Sequence, residues 1–454
     1  MKLVPFTYTR PSYVGKRLTR QTWSSLGENG KILRQSGVLG SPAGVPDGLS
    51  FDKMLYGSTC SPMTVGNFMD YLMYIEHSAE NLQFFLWYQD YVKRFNNANT
   101  SDLVLVPEWT TAMEDKVAAR LQKEASKETR EDLGSIGDIF KGTDFEKKRR
   151  DTFTTSGNPF DTPPLTPING GDKNSISTFS TKPSAVCDHR ALASEAFAAA
   201  GSTTPFTIQP YRDEINRIIS TYIMDGAPRQ LNLSDRDRKV VLHALSYTTH
   251  PSALRTTLLA VEHSLRRQSH PNFVRWSIFN GNQPRIAFAR VLGYAGVAGA
   301  FTVALLLTLS GAGRGWRAFA AIGWVLGMWA AFASYRGMCI CMYTFSRHYR
   351  HIRPWEFFEN VEYQGDMESS SSATRYKKSF DSFGSSNSFE EEPWVIRYEK
   401  RNLMRKIFDR ETWIQDPTLR KIQDVMFLQA MLFGLLTGGA FTLIFIFLRP
   451  VRLF

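Results

Sequence analysis

The stretch Ser78-Ala79-Glu80-Asn81-Leu82-Gln83-Phe84-Phe85-Leu86-Trp87-Tyr88-Gln89-Asp90-Tyr91 decides how the first half of this chain is read. It opens on polar residues suited to a helix entrance, with Ser78 as a candidate cap and Glu80 placed to complement the helix dipole. Its body carries two apolar faces, Leu82, Phe85 and Leu86 on one, Phe84, Tyr88 and Tyr91 on the other. A helix apolar over most of its circumference belongs at the centre of a bundle.

Upstream, Phe68, Leu72 and Ile75 recur at i, i+4 and i+7 behind Thr64, a candidate N-cap. Residues 1–50 mix turn formers with basic residues and read as an irregular lead-in. Downstream, helical order returns at Pro210, with Ile215, Ile218, Ile219 and Tyr222 on one face. Ser234-Asp235-Arg236-Asp237 is a start signal for a helix carrying Val240, Val241 and Leu245. Pro251 opens a helix with Leu254, Leu258 and Val261, and Pro271 a short one with Phe273 and Trp276. Between about 125 and 205 the chain turns to Ser, Thr, Gly, Pro, Asp and Lys, the composition of a disordered insertion. No convincing strand appears, so residues 51–285 read as an all-α domain with a long interruption.

The last third is different. Val291 to Leu309, Ala318 to Ser334 and Val425 to Leu448 are nearly free of charge. At a rise of 1.5 Å per residue these runs extend ~28, ~26 and ~36 Å, against a hydrocarbon core of about 30 Å. Core helices of a soluble protein carry a polar stripe, and these do not. The reading is three transmembrane helices, the first two a hairpin within 286–345, joined to the third at 425–448 by a Ser-rich and basic loop over 346–424, with a short tail at 449–454. Met1 to Arg20 contain no apolar core of a signal peptide, so none is expected there.

The formal charge of +11 is informative by its placement. Arg275, Arg285, Arg290, Arg336, Arg347, Arg350, Arg353, Arg405, Lys406, Arg410, Arg420 and Lys421 flank one set of span ends. The opposite ends carry only Arg314, Arg317, Arg449 and Arg452. The positive-inside rule then puts the N-terminal domain and the 346–424 loop in the cytosol. No basic cluster with interleaved aromatics resembles a nucleic-acid module, and no nucleic-acid partner is expected. A transporter is disfavoured because the spans hold no central ionisable residue, Arg336 lying near an end.

Nothing in the sequence forms a catalytic or metal-binding constellation. His348 and His351 sit among Arg347, Arg350 and Arg353, which would repel a cation. Gly311-Ala312-Gly313-Arg314-Gly315 joins two apolar runs, so it reads as a hairpin turn rather than a phosphate loop. No catalytic residue, metal or cofactor is therefore expected. Cys339 and Cys341, at the end of the second span, read either as palmitoylation sites or as small apolar residues of a helix end. Around Leu403, Met404, Ile407 and Phe408 a basic amphipathic stretch suits either anionic lipid or packing against the preceding domain.

The Ser78–Tyr91 helix, with Phe68-Met69-Asp70-Tyr71-Leu72 before it and Leu231-Asn232-Leu233-Ser234 far downstream, resembles the RGS family of G-protein signalling regulators. The resemblance implies an RGS-like helical bundle that binds a G-protein alpha subunit (Gα) and favours the transition-state arrangement of its switch loops. By motif match, Glu80, Asn81 and Asn232 occupy Gα contact positions, and Ser269 keeps the frame of a third. Gln268 and Asn272 replace the charged pair common in that third region, a departure that bears on GTPase-activating strength. An RGS-like domain with a long insertion and three C-terminal spans is similar to the fungal bud-site-selection, Rax-type RGS membrane proteins. That resemblance implies the plasma membrane or cell cortex, contact with membrane lipid, and a large membrane glycoprotein as polarity partner. It also leaves open a cortical landmark scaffold whose bundle docks proteins without accelerating GTP hydrolysis.

Overall fold

The computed structural model describes residues 45–98, 104–139, 188–203, 205, 208–310, 313–356 and 393–449, and these are mostly helical with almost no strand. In chain order the elements are α1 (Phe51–Leu55), α2 (Val65–Tyr71), α3 (Ala79–Asn96), α4 (Thr111–Ile139), α5 (His189–Ala199), α6 (Arg212–Ile218), α7 (Asp235–Tyr247), α8 (Arg255–Ser264), α9 (His270–Ile278), α10 (Gln283–Leu309), α11 (Ala320–Tyr335), α12 (Ile340–Phe345), β1 (Tyr349–His351), α13 (Pro393–Glu399), α14 (Leu403–Ile407), β2 (Glu411–Trp413) and α15 (Pro417–Phe447). They divide into two compact units, one built from 1–91 and 258–454, the other from 92–257.

Local chemistry places most helix starts. The Thr64 hydroxyl accepts from the Asn67 N–H at 3.2 Å and starts α2. Ser234 accepts from the Asp237 N–H at 3.1 Å and starts α7, while its own hydroxyl donates to the Asp237 carboxylate at 2.7 Å. Such caps are each worth about 1 kcal/mol. Entry into α3 differs from expectation: the Ser78 hydroxyl has no hydrogen-bond partner. The chain reverses instead through His77, held left-handed at φ 53°, and the Asn81 N–H reaches the Ser78 carbonyl at 3.3 Å.

In the first unit the aromatic side chains of α1, α2, α3 and α9 make the core. Phe51 meets Phe68 and Phe85 edge-on, with ring centroids 6.3 and 5.9 Å apart, and Phe68 lies 5.1 Å from Phe273. His270 joins this apolar cluster, 5.6 Å from Phe51. Beside it the buried Arg266 guanidinium clasps Asp52 through two bonds of 2.8 and 2.6 Å and also reaches Glu262 at 2.7 Å. Ile75, expected on the buried face, is exposed because residues 72–76 widen into a π-turn, which rotates the following side chains out of the α-helical phase.

Within the second unit, Ile215, Ile218, Ile219 and Tyr222 are fully buried as their spacing requires. Arg212 donates to the Leu245 carbonyl at 2.7 Å and so fastens α6 to the end of α7. Both ends of the insertion expected over about 125–205 contain helix. Helix α4 runs on to Ile139, and α5 begins at His189 behind an Asp188 cap that accepts from two backbone N–H groups. Good helix formers carry α4 onward, and Ala193, Ala196 and Phe197 give α5 a face to bury. Residues 140–187 lie outside the described residues.

Helices α10 and α15, together with the segment Arg314–Tyr335 that includes α11, are long and apolar enough to cross a membrane. Protein covers only 22%, 28% and 17% of their most apolar windows, so most of this apolar surface is bare in the single chain. They touch each other along stripes of small residues. A Cβ on Gly293 or Gly327 would fall 2.6 to 2.7 Å from backbone nitrogen of the facing helix, and one on Gly434 would fall 2.8 Å from the Val325 carbonyl oxygen. Trp324 is fully buried among Phe301, Phe441 and Phe445 at one end of the three-helix packing. There Arg317, also fully buried, donates to the carbonyls of Phe445 and Leu448 at 3.2 and 2.7 Å and closes the C-terminus of α15.

The 346–424 connection is not a plain loop. Its described ends form an antiparallel ribbon in which Tyr349 faces Trp413, Arg350 faces Thr412 and His351 faces Glu411, a short strand pair outside the 51–285 domain read as all-α. Three residues per strand carry too little alternation to be seen in sequence. The Ser-rich part of this connection lies outside the described residues. Asn280 ties the ribbon to the spans: its amide accepts from the Cys339 N–H at 2.8 Å and donates to the Cys339 carbonyl at 3.2 Å, while its own carbonyl accepts from the His351 N–H at 2.9 Å. Gln423 donates to the Ile278 carbonyl at 3.0 Å, and the N–H groups of Gln415 and Asp416 reach the Ser61 carbonyl. In this unit the helical bundle and the membrane-length helices are therefore joined by buried polar contacts rather than by a free linker.

Candidate functional site

The four residues matched to Gα contacts are placed in different ways. Glu80 and Asn81 begin α3 in the first unit. Glu80 is half-buried in the first turn, and Asn81 is 8% exposed, with its side-chain amide 3.4 Å from the Ser78 carbonyl. Asn81 is thus closer to a structural residue of the helix entrance than to a surface amide.

Asn232 belongs to the second unit and is exposed. Its orientation follows from its neighbours. Leu231 and Leu233 are both buried, and the Leu233 N–H returns to the Leu231 carbonyl at 2.8 Å, so the chain makes a tight turn with Asn232 at its apex. The apolar flanks anchor inward and push the amide out, just ahead of the capped start of α7.

Ser269 departs from the expected role. It is 1% exposed, and its hydroxyl donates to Glu76 Oε1 at 2.7 Å. A side chain so placed bridges the π-turn after α8 to the one after α2 and is not available to a partner at the surface. Burial raises the Glu76 carboxyl above the ordinary carboxylate range, with the Ser269 hydrogen bond opposing that rise. Sequence reasoning missed Glu76, because a carboxylate at a helix end reads as solvated until the element that covers it is known.

The two cysteines separate as well. Cys339 is 3% exposed and held on both sides of its peptide by Asn280, whereas Cys341 is exposed. Only Cys341 is open to an acyl donor. In the 403–410 stretch Ile407 is buried, while Leu403, Met404 and Phe408 are more than 60% exposed. Phe408 also meets the Phe288 ring of α10 edge-on at 6.2 Å. No protein-family model, curated protein or solved structure matches this chain.

Proposed function

We propose that this is a membrane-anchored RGS-type protein that binds a Gα subunit and modulates its GTP hydrolysis. The observation that carries the reading is Asn232: two buried leucines hold an otherwise unoccupied carboxamide outward within the Leu231-Asn232-Leu233-Ser234 motif, the arrangement a contact residue needs. A carboxamide both donates and accepts, so it can order a glutamine side chain and nearby backbone of a switch loop. No proton-transfer group is required of this chain, since Gα already holds the nucleotide, metal and water-orienting residue. Three membrane-length apolar helices support anchoring of the bundle at a membrane, and the asymmetry of basic residues supports a cytosolic face; the plasma membrane or cell cortex is what the family resemblance implies.

Single-turnover GTP hydrolysis by Gα in the presence of the full chain tests this. Glu80→Ala and Asn232→Ala are each expected to weaken binding to the transition-state-mimic form of Gα by about 1–3 kcal/mol. Asn232→Ala should leave the thermal midpoint unchanged, because that side chain is exposed. Wild-type protein that neither binds nor accelerates any Gα of its own organism would refute the proposal. A second reading, a cortical landmark scaffold with little GTPase-activating effect that docks a large membrane glycoprotein, is favoured by one observation: Ser269 is turned inward, and Gln268 and Asn272 stand where a charged pair is common. Binding without acceleration would select it.

A further inference from the structure

Where the ribbon meets the ends of α10 and α11, the first unit encloses a cavity of about 670 Å³. Its walls are cationic and aromatic. Arg350 and Arg353 come from the ribbon and the turn after it, Arg290 from α10 and Lys406 from α14, and the indoles of Trp276 and Trp355, stacked 6.1 Å apart, close one side. Among the described residues lining the cavity there is no acidic one. Glu356 stands behind Arg350 and takes both of its terminal nitrogens at 2.9 Å; it also accepts the Arg353 backbone N–H at 3.1 Å and partly offsets the Arg353 charge through space. Asp70 acts on Arg353 only as a weaker, through-space influence. The cations of Arg290, Arg353 and Lys406 remain in surplus.

The buried polar groups of this lining are short of acceptors. Arg353 is 7% exposed, with its guanidinium carbon 3.9 Å from the centre of the Trp276 ring, and its Nη1 has no hydrogen-bond partner. Burial, and then Arg350 beside it, pull the Arg353 guanidinium down to about 9, the sign of a cation whose surroundings do not compensate it. Arg350 Nε is likewise unpartnered. His351 Nε2 lies 2.7 Å from the Arg285 guanidinium and must accept from it, so the ring's one proton sits on Nδ1, which also lacks a partner. All three orphans are therefore donors. A buried donor left unsatisfied is costly, and all three belong to residues that line this cavity, whose cationic side chains favour an anion. The N-terminal turn of the 27-residue α10 contributes Asn282, Gln283 and Pro284 to the lining, and its positive dipole end adds to the same preference.

The position of the cavity identifies the source of that anion. Its mouth is bordered by Ile286 and Ala287 of α10 and by Tyr335 of α11, which is 73% exposed. Immediately beyond, Val291, Leu292 and Tyr294 present bare apolar surface along α10. A ligand whose phosphate enters the cavity can thus lay its acyl chains on these helices, and the volume accommodates a polyol as well as a phosphate. We infer that this cavity binds the headgroup of an anionic phospholipid of the inositol-phosphate class, with Arg290 and Lys406 at the mouth and Arg353 in the depth as its phosphate ligands. A phosphate oxygen supplies the acceptor that Arg353 lacks, and charge-assisted bonds to guanidinium groups are among the stronger polar contacts. The inference rests on the reading that the three apolar helices lie in a bilayer, but not on any role toward Gα.

The test is native mass spectrometry of the full chain, purified in detergent and supplied separately with phosphatidylcholine, phosphatidylserine or phosphatidylinositol 4-phosphate. One phosphatidylinositol 4-phosphate per chain should be retained in preference to the other two. Arg353 is buried and its loss can disturb the fold, so the deciding variants are at the mouth. The Arg290→Gln, Lys406→Gln pair should weaken retention at least tenfold with the melting temperature unchanged, whereas Arg314→Gln, on the hairpin between the first two spans, should leave retention as it was. Equal retention of the three lipids, or equal retention by the mouth variant and the wild type, overturns the inference. Inorganic phosphate that displaces the lipid at comparable concentration would also overturn it, by showing that the cavity takes free phosphate and not a lipid.

Discussion

Replacing Gly327 with alanine should weaken the packing of the membrane helices, while the same change at Gly299 should not. The two glycines lie in facing helices of one hairpin, and the substitution adds the same methyl group to each. A Cβ at Gly327 would lie 2.7 Å from the Val297 nitrogen and 2.9 Å from the Gly293 oxygen, both backbone atoms that no rotamer change can move. A Cβ at Gly299 meets nothing within 4 Å. To regain ordinary contact at Gly327 the helices must part by roughly 0.7 Å, a gap that forfeits about a quarter to a half of each affected dispersion contact. Gly296, Gly323 and Gly293 sit in the same close approach, so the loss spreads along the crossing. Overpacking of this kind costs about 1–3 kcal/mol, against a gain near 1 kcal/mol from helix propensity that both variants share. Unfolding of the full chain in mixed micelles by titration with a denaturing detergent, followed by tryptophan fluorescence, reads the difference. Gly327→Ala should unfold at lower detergent fraction than wild type, and Gly299→Ala at the same or a higher one. Equal shifts in the two variants would show that the stripe does not hold these helices together.

His270 makes stability depend on acid. Burial, followed by the Arg266 guanidinium, pushes its pKa down to about 4, so below pH 6.5 the unfolded chain takes up a proton that the folded chain refuses. Stability should fall as pH drops from 6.5 toward 4, by at most about 1.4 kcal/mol per pH unit and about 3 kcal/mol in all. His270→Phe should remove that component of the slope in thermal melts, and an unchanged slope would sink the assignment. Glu76 titrates with the opposite sign: its raised pKa favours the folded state at low pH and the advantage is lost as pH rises, so Glu76→Gln, which keeps an acceptor for Ser269, should stabilise the protein at pH 7 relative to pH 5. With a water-soluble maleimide, Cys341 should be modified and Cys339 protected until the protein unfolds; equal labelling would contradict the Asn280 clasp. A glycosylation acceptor added after Phe454 should be modified in a membrane-insertion assay and one near Ser386 should not, and modification at Ser386 alone would invert the topology.

Much of this architecture was readable from residue spacing. The cap at Thr64, the cap at Ser234, the all-round apolar α3 and the three apolar runs are local signals, because a helix is stabilised by residues three and four apart and by groups at its own ends. The apolar runs also gave helices long and apolar enough to cross a membrane, since their length matches a hydrocarbon core whatever they pack against. What they could not announce was which stripe of each would meet which neighbour; the packing sets Gly293, Gly327 and Gly434 against the backbone of the facing helices.

The remaining features depend on contacts between residues far apart in sequence. Ser269 looked like a surface contact and became an internal one because Glu76, from a turn nearly two hundred residues earlier, lies against it. Asn232 remained outside because the leucines on either side found a core. The Arg350–Arg353 segment read as a basic run beside a span; pairing of β1 with β2 buried its arginines along the lining of a cavity, which no neighbouring sequence could have foretold. Periodicity fixes the face an element wishes to bury, and that is a property of sequence. Whether a polar group ends in water, against a partner, or unsatisfied beside a cavity depends on what covers it, and only the tertiary structure decides that.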